Sequence, residues 1–273
     1  MTRPGEVGSV MYVDVHSHLT HEDFAEDLPA VIARAEAAGL GAIVVNGLEP
    51  LSNRRILALA QTYPVLKPAL GIYPIEAVND RVGDLPFAVA RFDVDAEITF
   101  IDEQARLGRV FAIGECGLDA YWVGEETFVR QEEVFTKLIE IALTRQLPLI
   151  IHTRKREERA MEILAYHGVK RVDFHCYGGK VKPALKAAEE KGWYFSIPAN
   201  ARRNEAFQKL LRDLPREQLL TETDCPFLPP HKGARNEPRE VVGTIEYLAE
   251  LRSWSLAEAK DQVWSNYQRL FGV

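Results

Sequence analysis

Two histidines stand two positions apart near the start of the chain, in the stretch YVDVHSHL. Side chains of an extended strand alternate between its two faces, so Asp14, His16 and His18 share one face while the intervening valines fill the other. Imidazole nitrogens are common ligands of divalent metal ions. His16 and His18 therefore form a candidate metal site. The alternative is chance proximity in a chain that has 7 histidines.

Four further candidate ligands each end a short apolar run. Glu115 ends VFAIGE, His152 ends PLIIH, His175 ends RVDFH and Asp224 ends LLTETD. A single buried histidine or carboxylate is usually a hydrogen-bonded group of the core. Six candidates that all follow apolar runs favour one shared metal centre over six independent core groups.

The apolar runs alternate with longer amphipathic segments along the chain. Predicted strands cover residues 12–16, 41–47, 65–73, 110–115, 148–152, 171–175, 193–198 and 219–224. Predicted helices cover residues 28–38, 126–146, 157–167, 180–191, 203–213, 239–252 and 256–270. Most strands are near-continuous apolar runs, which is typical of a parallel sheet that is covered on both faces.

Eight strands, each followed by a helix or a long loop, predict one (β/α)8 TIM-barrel domain over residues 1–273. An open doubly wound sheet is the alternative fold, although it rarely needs eight strands in this length. The carboxyl ends of all barrel strands meet at one mouth, where the active sites of this fold lie. A barrel would therefore bring the six candidate ligands together.

Composition restricts the location and the partners of the protein. The net charge of −7 argues against broad electrostatic binding of nucleic acid, so local positive charge must hold any phosphate-bearing partner. The leader MTRPGEVGSVM lacks an apolar segment, and no apolar run is long enough to span a membrane. Three scattered cysteines do not make a disulfide framework. A cytoplasmic protein without membrane attachment is therefore expected.

The cysteines Cys116, Cys176 and Cys225 each directly follow a candidate ligand. Neighbouring residues of a strand point to opposite faces, so the thiols are predicted to face the helix layer as small buried apolar groups. A cysteine-rich zinc site is the alternative, and the spacing gives it little support.

The donor set indicates the chemistry. Four histidines, one glutamate and one aspartate suit two divalent ions that share a carboxylate. Mixed nitrogen and oxygen donors favour zinc, manganese, cobalt or nickel over calcium. A pair of ions lowers the pKa of a bridging water and polarises the bond to be cleaved. The sequence therefore predicts a hydrolase.

Several of these segments resemble the TatD family of metal-dependent hydrolases, within the amidohydrolase superfamily. They are DVHSHL, IGECGLD, IHTR, FHCYGG and ETDCPFLPPHKGARNEP. The family consists of TIM-barrel enzymes with two divalent ions and deoxyribonuclease activity. The resemblance implies a 3′-exonuclease or related phosphodiesterase that acts on single-stranded DNA. It implies two ions of zinc, magnesium or manganese, and a monomer is expected.

The resemblance also implies a role for each candidate ligand. His16, His18 and Asp224 would hold one ion, His152 and His175 the other, and Glu115 would bridge the two. Asp224 would in addition orient or deprotonate the attacking water. Asp224 and Glu115 are thus the candidate catalytic residues.

One segment departs from the family pattern. The family has Gly-x-His-Pro-His after the third strand, whereas this chain has GIYPIE, with Tyr73 and Ile75 at the histidine positions. Tyr73 is therefore a candidate substrate-binding residue. A subset of the family removes D-amino acids from tRNA. The ester of a D-aminoacyl-tRNA, or another ester or amide, is accordingly the alternative substrate.

Basic residues follow the fifth, seventh and eighth predicted strands, so they would border the same mouth. They are Arg154, Lys155, Arg156, Arg202, Arg203, Lys232 and Arg235. A collar of positive charge would bind substrate phosphates, with Arg154 and Arg203 as the leading candidates. Solvated surface charge is the alternative for each group. His21, His167 and His231 lie outside the ligand pattern and receive no catalytic role.

A non-catalytic binding module stabilised by metal is the alternative from another functional class. A structural metal site has every coordination position filled by protein. The mouth of a barrel faces water, so the predicted position of the ligands favours catalysis.

Overall fold

The protein structure, a computed structural model, describes residues 10–273. Residues 1–9, which make up most of the leader MTRPGEVGSVM, lie outside this range. Eight parallel strands form one sheet in the order β1-β2-β3-β4-β5-β6-β7-β8. The strands are β1 (Tyr12–Ser17), β2 (Leu40–Asn46), β3 (Leu66–Leu70), β4 (Ala112–Asp119), β5 (Leu149–Arg154), β6 (Val172–His175), β7 (Tyr194–Ile197) and β8 (Leu219–Thr221).

The sheet closes into a barrel just beyond the end of β8. Ser17 and Cys225 form a parallel bridge between the first and last strands. The Asp224 N–H donates to the His16 carbonyl at 2.9 Å, and the His18 N–H donates to the Cys225 carbonyl at 2.8 Å. The predicted TIM barrel is confirmed, and its closing hydrogen bonds lie beside three of the candidate ligands.

Nine α-helices occur within residues 10–273. They are α1 (Leu28–Ala37), α2 (Pro50–Thr62), α3 (Val94–Arg106), α4 (Phe128–Arg145), α5 (Glu157–Tyr166), α6 (Val181–Lys191), α7 (Glu205–Asp213), α8 (Val241–Arg252) and α9 (Leu256–Phe271). Seven of them lie where the sequence predicts helices. In this part of the chain no helix is both long and apolar enough to cross a membrane.

Two helices, α2 and α3, were not predicted. The inward face of α2 carries the polar Ser52 and Asn53 beside Ile56, which interrupts the apolar periodicity that identifies a buried helix face. The helix α3 does carry apolar residues at helical spacing, namely Val94, Ile98, Ile101 and Ala105, and was overlooked. Asn53 of α2 is fully buried and donates to the Gly71 carbonyl at 2.9 Å and to Glu97 of α3 at 2.8 Å. These partners satisfy the buried amide and carboxylate between the two helices.

Three predicted strand ends at the barrel mouth are wrong by three residues or more. β3 ends at Leu70 rather than at residue 73. β4 does not end at Glu115 but continues to Asp119, because its last residues pair with β5 as far as Arg154. β8 ends at Thr221, before Asp224. Asp224 has a φ of 53°, which lies in the left-handed region and cannot continue a strand. Glu115 therefore lies inside a strand and Asp224 in the loop that follows one.

Glu76 is a buried carboxylate in the loop after β3. It accepts a hydrogen bond from the Ala90 N–H at 3.1 Å, and burial raises its pKa to about 7. In the unfolded chain the same carboxyl titrates near its ordinary pKa of 4.5. The folded state thus binds this proton more tightly than the unfolded state does. Ionisation of Glu76 therefore lowers the free energy of unfolding as the pH rises from about 4.5 to 7.

Glu76→Gln is therefore expected to raise the free energy of unfolding by up to about 3 kcal/mol at pH 8. The gain should shrink strongly at pH 5, where the folded parent keeps the proton. Urea unfolding at the two pH values measures both quantities, with the exposed Glu103→Gln as control. An equal gain at both pH values, or none at pH 8, would contradict this expectation.

Candidate metal centre

Three candidate ligands meet where β1 lies beside the loop that follows β8. The Nε2 atoms of His16 and His18 lie 3.2 Å apart. Asp224 Oδ1 lies 3.7 Å from Nε2 of His16 and 3.3 Å from Nε2 of His18. This group of three could hold one metal ion, as the family resemblance implies, and His16, Glu115 and His175 form a second such group.

Glu115 faces two different pairs of histidines with its two oxygens. Its Oε2 lies 3.3 Å from Nε2 of His16 and 3.5 Å from Nε2 of His18. Its Oε1 lies 3.0 Å from Nδ1 of His152 and 3.4 Å from Nε2 of His175. One carboxylate therefore lies between two sets of nitrogen donors, which is the arrangement that a ligand shared by two ions requires.

The packing of β4 against β5 brings Glu115 close to His152. Gly117 has a φ of 142°, which favours glycine, and a Cβ atom there would collide with the His152 carbonyl oxygen. Glycine thus permits a close approach of the two strands at the level of the centre.

Three of the four imidazoles have an acceptor behind the ring. They are His152, with Nε2 3.0 Å from Asp119 Oδ2; His175, with Nδ1 3.2 Å from Glu222 Oε1; and His18, with Nδ1 3.3 Å from the Asn46 carbonyl oxygen. Such acceptors hold the ring proton on the far nitrogen. The near nitrogen then keeps its lone pair directed towards the centre.

Asp119 and Glu222 were missed as site residues. Asp119 also accepts the N–H groups of Tyr121 at 2.7 Å and Trp122 at 2.9 Å, and Glu222 accepts the Ser196 hydroxyl at 2.5 Å. The sequence did carry a signal. Glu222 lies two positions from Asp224 in the predicted strand 219–224, and residues two positions apart share a strand face.

The protonation states suit a cation-binding centre. Burial opposes ionisation of Glu115 and Asp224, but the surrounding imidazoles lower the pKa of both carboxyls below their ordinary values. Burial, together with nearby His175, lowers the pKa of His16 to about 3 and keeps that ring neutral. Burial opposes protonation of His18, His152 and His175, but the nearby carboxylates raise the pKa values of all three rings. Divalent ions bind neutral imidazoles and ionised carboxylates, so a bound ion would take the place of these protons. Buried carboxylates also require compensating positive charge, so the residues present fit a metal centre.

The predicted substrate residues border this centre at different distances. The Tyr73 ring packs edge-on against His152, with centroids 4.9 Å apart, and burial raises the pKa of its hydroxyl. The Arg154 guanidinium stacks 3.5 Å above the centroid of the Tyr121 ring at the rim. Arg203 donates to the carbonyls of both prolines that precede His231, at 2.6 and 3.1 Å. Arg203 thus also fixes the loop after β8.

The predicted collar of positive charge is smaller than the sequence indicates. Three of its members pair with carboxylates: Arg156 with Glu132, Arg202 with Glu250 and Arg235 with Asp27. Within residues 10–273, no ion pair is formed by Arg154, Lys155, Arg203 or Lys232. These four remain candidates for phosphate contacts.

Two of the three cysteine predictions agree with the structure. Cys116 and Cys225 are buried, and Cys116 Sγ lies 3.9 Å from the Ile150 carbonyl oxygen, away from the candidate ligands. Cys176 is only partly buried. Among the described residues, no cysteine joins a group of potential metal ligands.

Comparison with known proteins identifies the family. The family model described as TatD related DNase matches residues 13–272. The chain belongs to the TatD family. Two relatives are the uncharacterized metal-dependent hydrolase YabD of Bacillus subtilis and the 3′-5′ ssDNA/RNA exonuclease TatD of Citrobacter rodentium. YabD is 32% identical, and the match covers 96% of this chain and all of YabD. The exonuclease is 30% identical, and the match covers 95% of this chain and 97% of the exonuclease.

A solved TatD structure has the same fold. The crystal structure of YjjV, a TatD homologue from Escherichia coli, superposes with a TM-score of 0.83 and 26% sequence identity. The match covers 96% of this chain and 98% of that chain. The family resemblance, the barrel and the assignment as a metal-dependent hydrolase are thereby confirmed.

Asp119→Asn should weaken metal binding about 10- to 100-fold, because an amide holds the His152 ring and its proton less firmly than a carboxylate does. Titration with Mn²⁺ followed by calorimetry measures this affinity. The exposed Asp84→Asn serves as a control and should bind as the parent does. Unchanged affinity in Asp119→Asn would show that this carboxylate does not support the centre.

Proposed function

We propose that this TatD protein removes nucleotides from the 3′ end of single-stranded nucleic acid by hydrolysis of phosphodiester bonds. The observation that carries the proposal is the Glu115 carboxylate, whose two oxygens face separate histidine pairs. The name of the Citrobacter rodentium relative supports the direction and the single-stranded substrate. We propose further that residues 1–273 form one domain and that the protein acts as a monomer.

In this proposal two divalent ions, of zinc, magnesium or manganese, occupy the centre. The ligands are His16, His18 and Asp224 for one ion, His152 and His175 for the other, and Glu115 as the bridge. When bound, such ions polarise the phosphate and lower the pKa of water. The carboxylate of Glu115 supplies negative charge to both positions, and the acceptors behind the rings fix the direction of the imidazoles.

Asp224 is the proposed general base. Its pKa is lowered by His18 and the other nearby imidazoles, so it is ionised and able to accept the proton of the attacking water at neutral pH. Its side chain is 12% exposed and that of His152 is 14% exposed, so both reach the mouth of the barrel. Access from solvent supports a catalytic centre over a closed structural one.

Tyr73, Arg154 and Arg203 are the proposed substrate-binding residues. Tyr73 lies against His152, where its ring and hydroxyl can orient the phosphate and the adjoining base. Arg154 projects from β5 at the rim with its guanidinium above Tyr121, and a phosphate of the strand is its expected partner.

A panel of substrates tests the proposal. The protein, loaded in turn with Mg²⁺, Mn²⁺ and Zn²⁺, is given 5′-labelled single-stranded DNA, the same sequence as RNA, a D-aminoacyl-tRNA and bis(p-nitrophenyl) phosphate. We expect stepwise shortening of the labelled strand from its 3′ end, abolished by EDTA. Hydrolysis of the aminoacyl ester alone would contradict the proposal and favour a deacylase.

Substitutions of Tyr73 test its role in substrate binding. Tyr73→Phe should lower kcat/KM on single-stranded DNA by about fivefold, the effect of one neutral hydrogen bond of about 1 kcal/mol. Tyr73→Ala should cost distinctly more, because the ring is lost as a packing surface. Since burial raises the pKa of Tyr73 further above 10, its ionisation should not shape activity between pH 6 and 8. If both variants match the parent, Tyr73 has no role in substrate binding.

A further inference from the structure

A cavity of about 200 Å³ lies beside the metal centre, between the loops that follow β1, β2 and β8. We call it the side cavity. Its walls include His18, Thr20, His21, Leu51, Arg55 and Phe227. Because His18 also belongs to the metal centre, a molecule in the side cavity lies next to the position of the reacting phosphate.

Phe227 presents an aromatic surface to this cavity. Phe227 is 48% exposed, so its ring is accessible to a ligand. The ring packs edge-on against His18, with centroids 5.9 Å apart, and against His21, with centroids 5.5 Å apart. These contacts hold the ring at the edge of the cavity but leave much of it free for a ligand.

The loop that carries Phe227 is held by hydrogen bonds to its backbone rather than by burial of its side chains. The buried amide of Asn236 donates to the carbonyls of Phe227 and Thr223. Arg203 donates to the carbonyls of Pro229 and Pro230 in the same loop. Leu228 has a φ of 50°, a conformation that a bulky residue adopts only where the surroundings impose it. A fixed aromatic ring loses little entropy when a ligand binds.

Polar groups of the side cavity are available to a ligand. Arg55 forms no ion pair with any residue between 10 and 273, although its side chain lines the cavity. His21 Nδ1 accepts the Asp23 N–H at 3.2 Å, so the neutral ring carries its proton on Nε2 and can donate from there. An aromatic surface combined with such donors recognises the stacking face and the polar edge of a nucleobase.

The size and position of the side cavity limit what it can hold. Sites for drug-sized ligands measure about 300–1,000 Å³, so a cavity of about 200 Å³ accepts a single nucleoside rather than a run of nucleotides. The strands β1, β2 and β8 that surround it lie across the barrel from β4 and β5. Arg154 and the Tyr121 ring lie on that far side, where a longer chain can follow the surface.

We infer that the side cavity binds the 3′-terminal nucleoside of the substrate strand, with its base against Phe227 and its polar atoms bound by Arg55 and His21. The inference rests on the proposed exonuclease function and extends it. The terminal nucleoside lies towards β1, β2 and β8, and the remaining chain runs towards β4 and β5. A pocket beside the metal centre with room for one nucleoside also explains how cleavage is confined to the end of a strand.

The test compares three 5′-labelled single-stranded oligonucleotides of the same length. One is unmodified, one ends in an abasic residue at its 3′ terminus, and one carries the abasic residue far from that terminus. The terminal abasic residue should lower kcat/KM for removal of the first nucleotide about tenfold, mainly through KM, because one base-stacking contact is lost. The internal abasic residue should not.

Two variants make the test specific. Phe227→Ala and Arg55→Gln should each remove most of the difference between the first two oligonucleotides. Tyr166→Ala is the matched control, because Tyr166 is 87% exposed at the end of α5 and remote from the cavity. This control should keep the full preference for a terminal base.

The outcomes separate the inference from the proposed function. Equal cleavage of all three oligonucleotides by the parent would overturn the inference and leave the exonuclease proposal intact. Failure to cleave any oligonucleotide or bis(p-nitrophenyl) phosphate with any ion would overturn the proposed function. Even if no substrate is cleaved, the binding of thymidine 5′-monophosphate, measured by calorimetry, still tests the inference. We expect Phe227→Ala to weaken this binding about tenfold, and no binding by the parent would overturn the assignment.

Discussion

Glu115→Gln is expected to lose at least one metal ion per chain and most of the hydrolytic activity. The two Glu115 oxygens lie 3.0 Å from a nitrogen of His152 and 3.3 Å from a nitrogen of His16. A carboxylate offers two negatively charged oxygens to two cations, whereas an amide offers one neutral oxygen and a nitrogen that does not bind them. Elemental analysis after resupply of metal and desalting measures the loss, and hydrolysis of bis(p-nitrophenyl) phosphate measures the activity.

The exposed Glu103→Gln controls for the removal of one carboxylate elsewhere in the chain. It should keep the metal content and turnover of the parent. Circular dichroism shows whether the barrel persists in both variants. A folded Glu115→Gln with full metal content and parental turnover would contradict the role of Glu115 as a bridge.

Asp224→Asn is expected to lower turnover at least about 10²-fold, the low end for loss of a general base. Asparagine keeps an oxygen near the position of Asp224 Oδ1, 3.3 Å from His18 Nε2, but cannot accept the proton of water at neutral pH. The barrel should survive, because the closing hydrogen bond uses the backbone N–H of this residue and the His16 carbonyl.

The rate of Asp224→Asn must be measured at a saturating metal concentration, so that weaker ion binding does not imitate a lost base. Asp84→Asn provides the matched control at an exposed position. If Asp224→Asn turns over at nearly the parental rate under these conditions, another group takes the proton and Asp224 serves only as a ligand.

The barrel and the convergence of the six candidate ligands were predictable from sequence. Buried parallel strands are short apolar runs, and the polar residues that end or interrupt these runs are readily seen. The helix α2 was not predictable in this way, because its buried face holds the polar Ser52 and Asn53 beside Ile56. The partner of Asn53, Glu97, is distant in sequence and becomes apparent only in the folded chain. The apolar stripe of α3, by contrast, could have been found in the sequence.

The surroundings of the ligands were predicted less well than the ligands themselves. Asp119 was overlooked because β4 was expected to end at Glu115, and the strand extension depends on pairing with β5. The positive collar was overestimated for a similar reason. Arg202 and Arg235 meet Glu250 and Asp27, which follow or precede them by many residues. Charge pairing of this kind is a property of the fold rather than of local sequence.

Anomalous scattering from crystals of the manganese-loaded protein tests the account most directly. We expect two manganese peaks on opposite sides of the Glu115 carboxylate. One should lie among His16, His18 and Asp224, and the other should lie beside His152 and His175. A single ion at full occupancy, or ions bound away from Glu115, would contradict the shared-carboxylate centre on which the proposed hydrolysis depends.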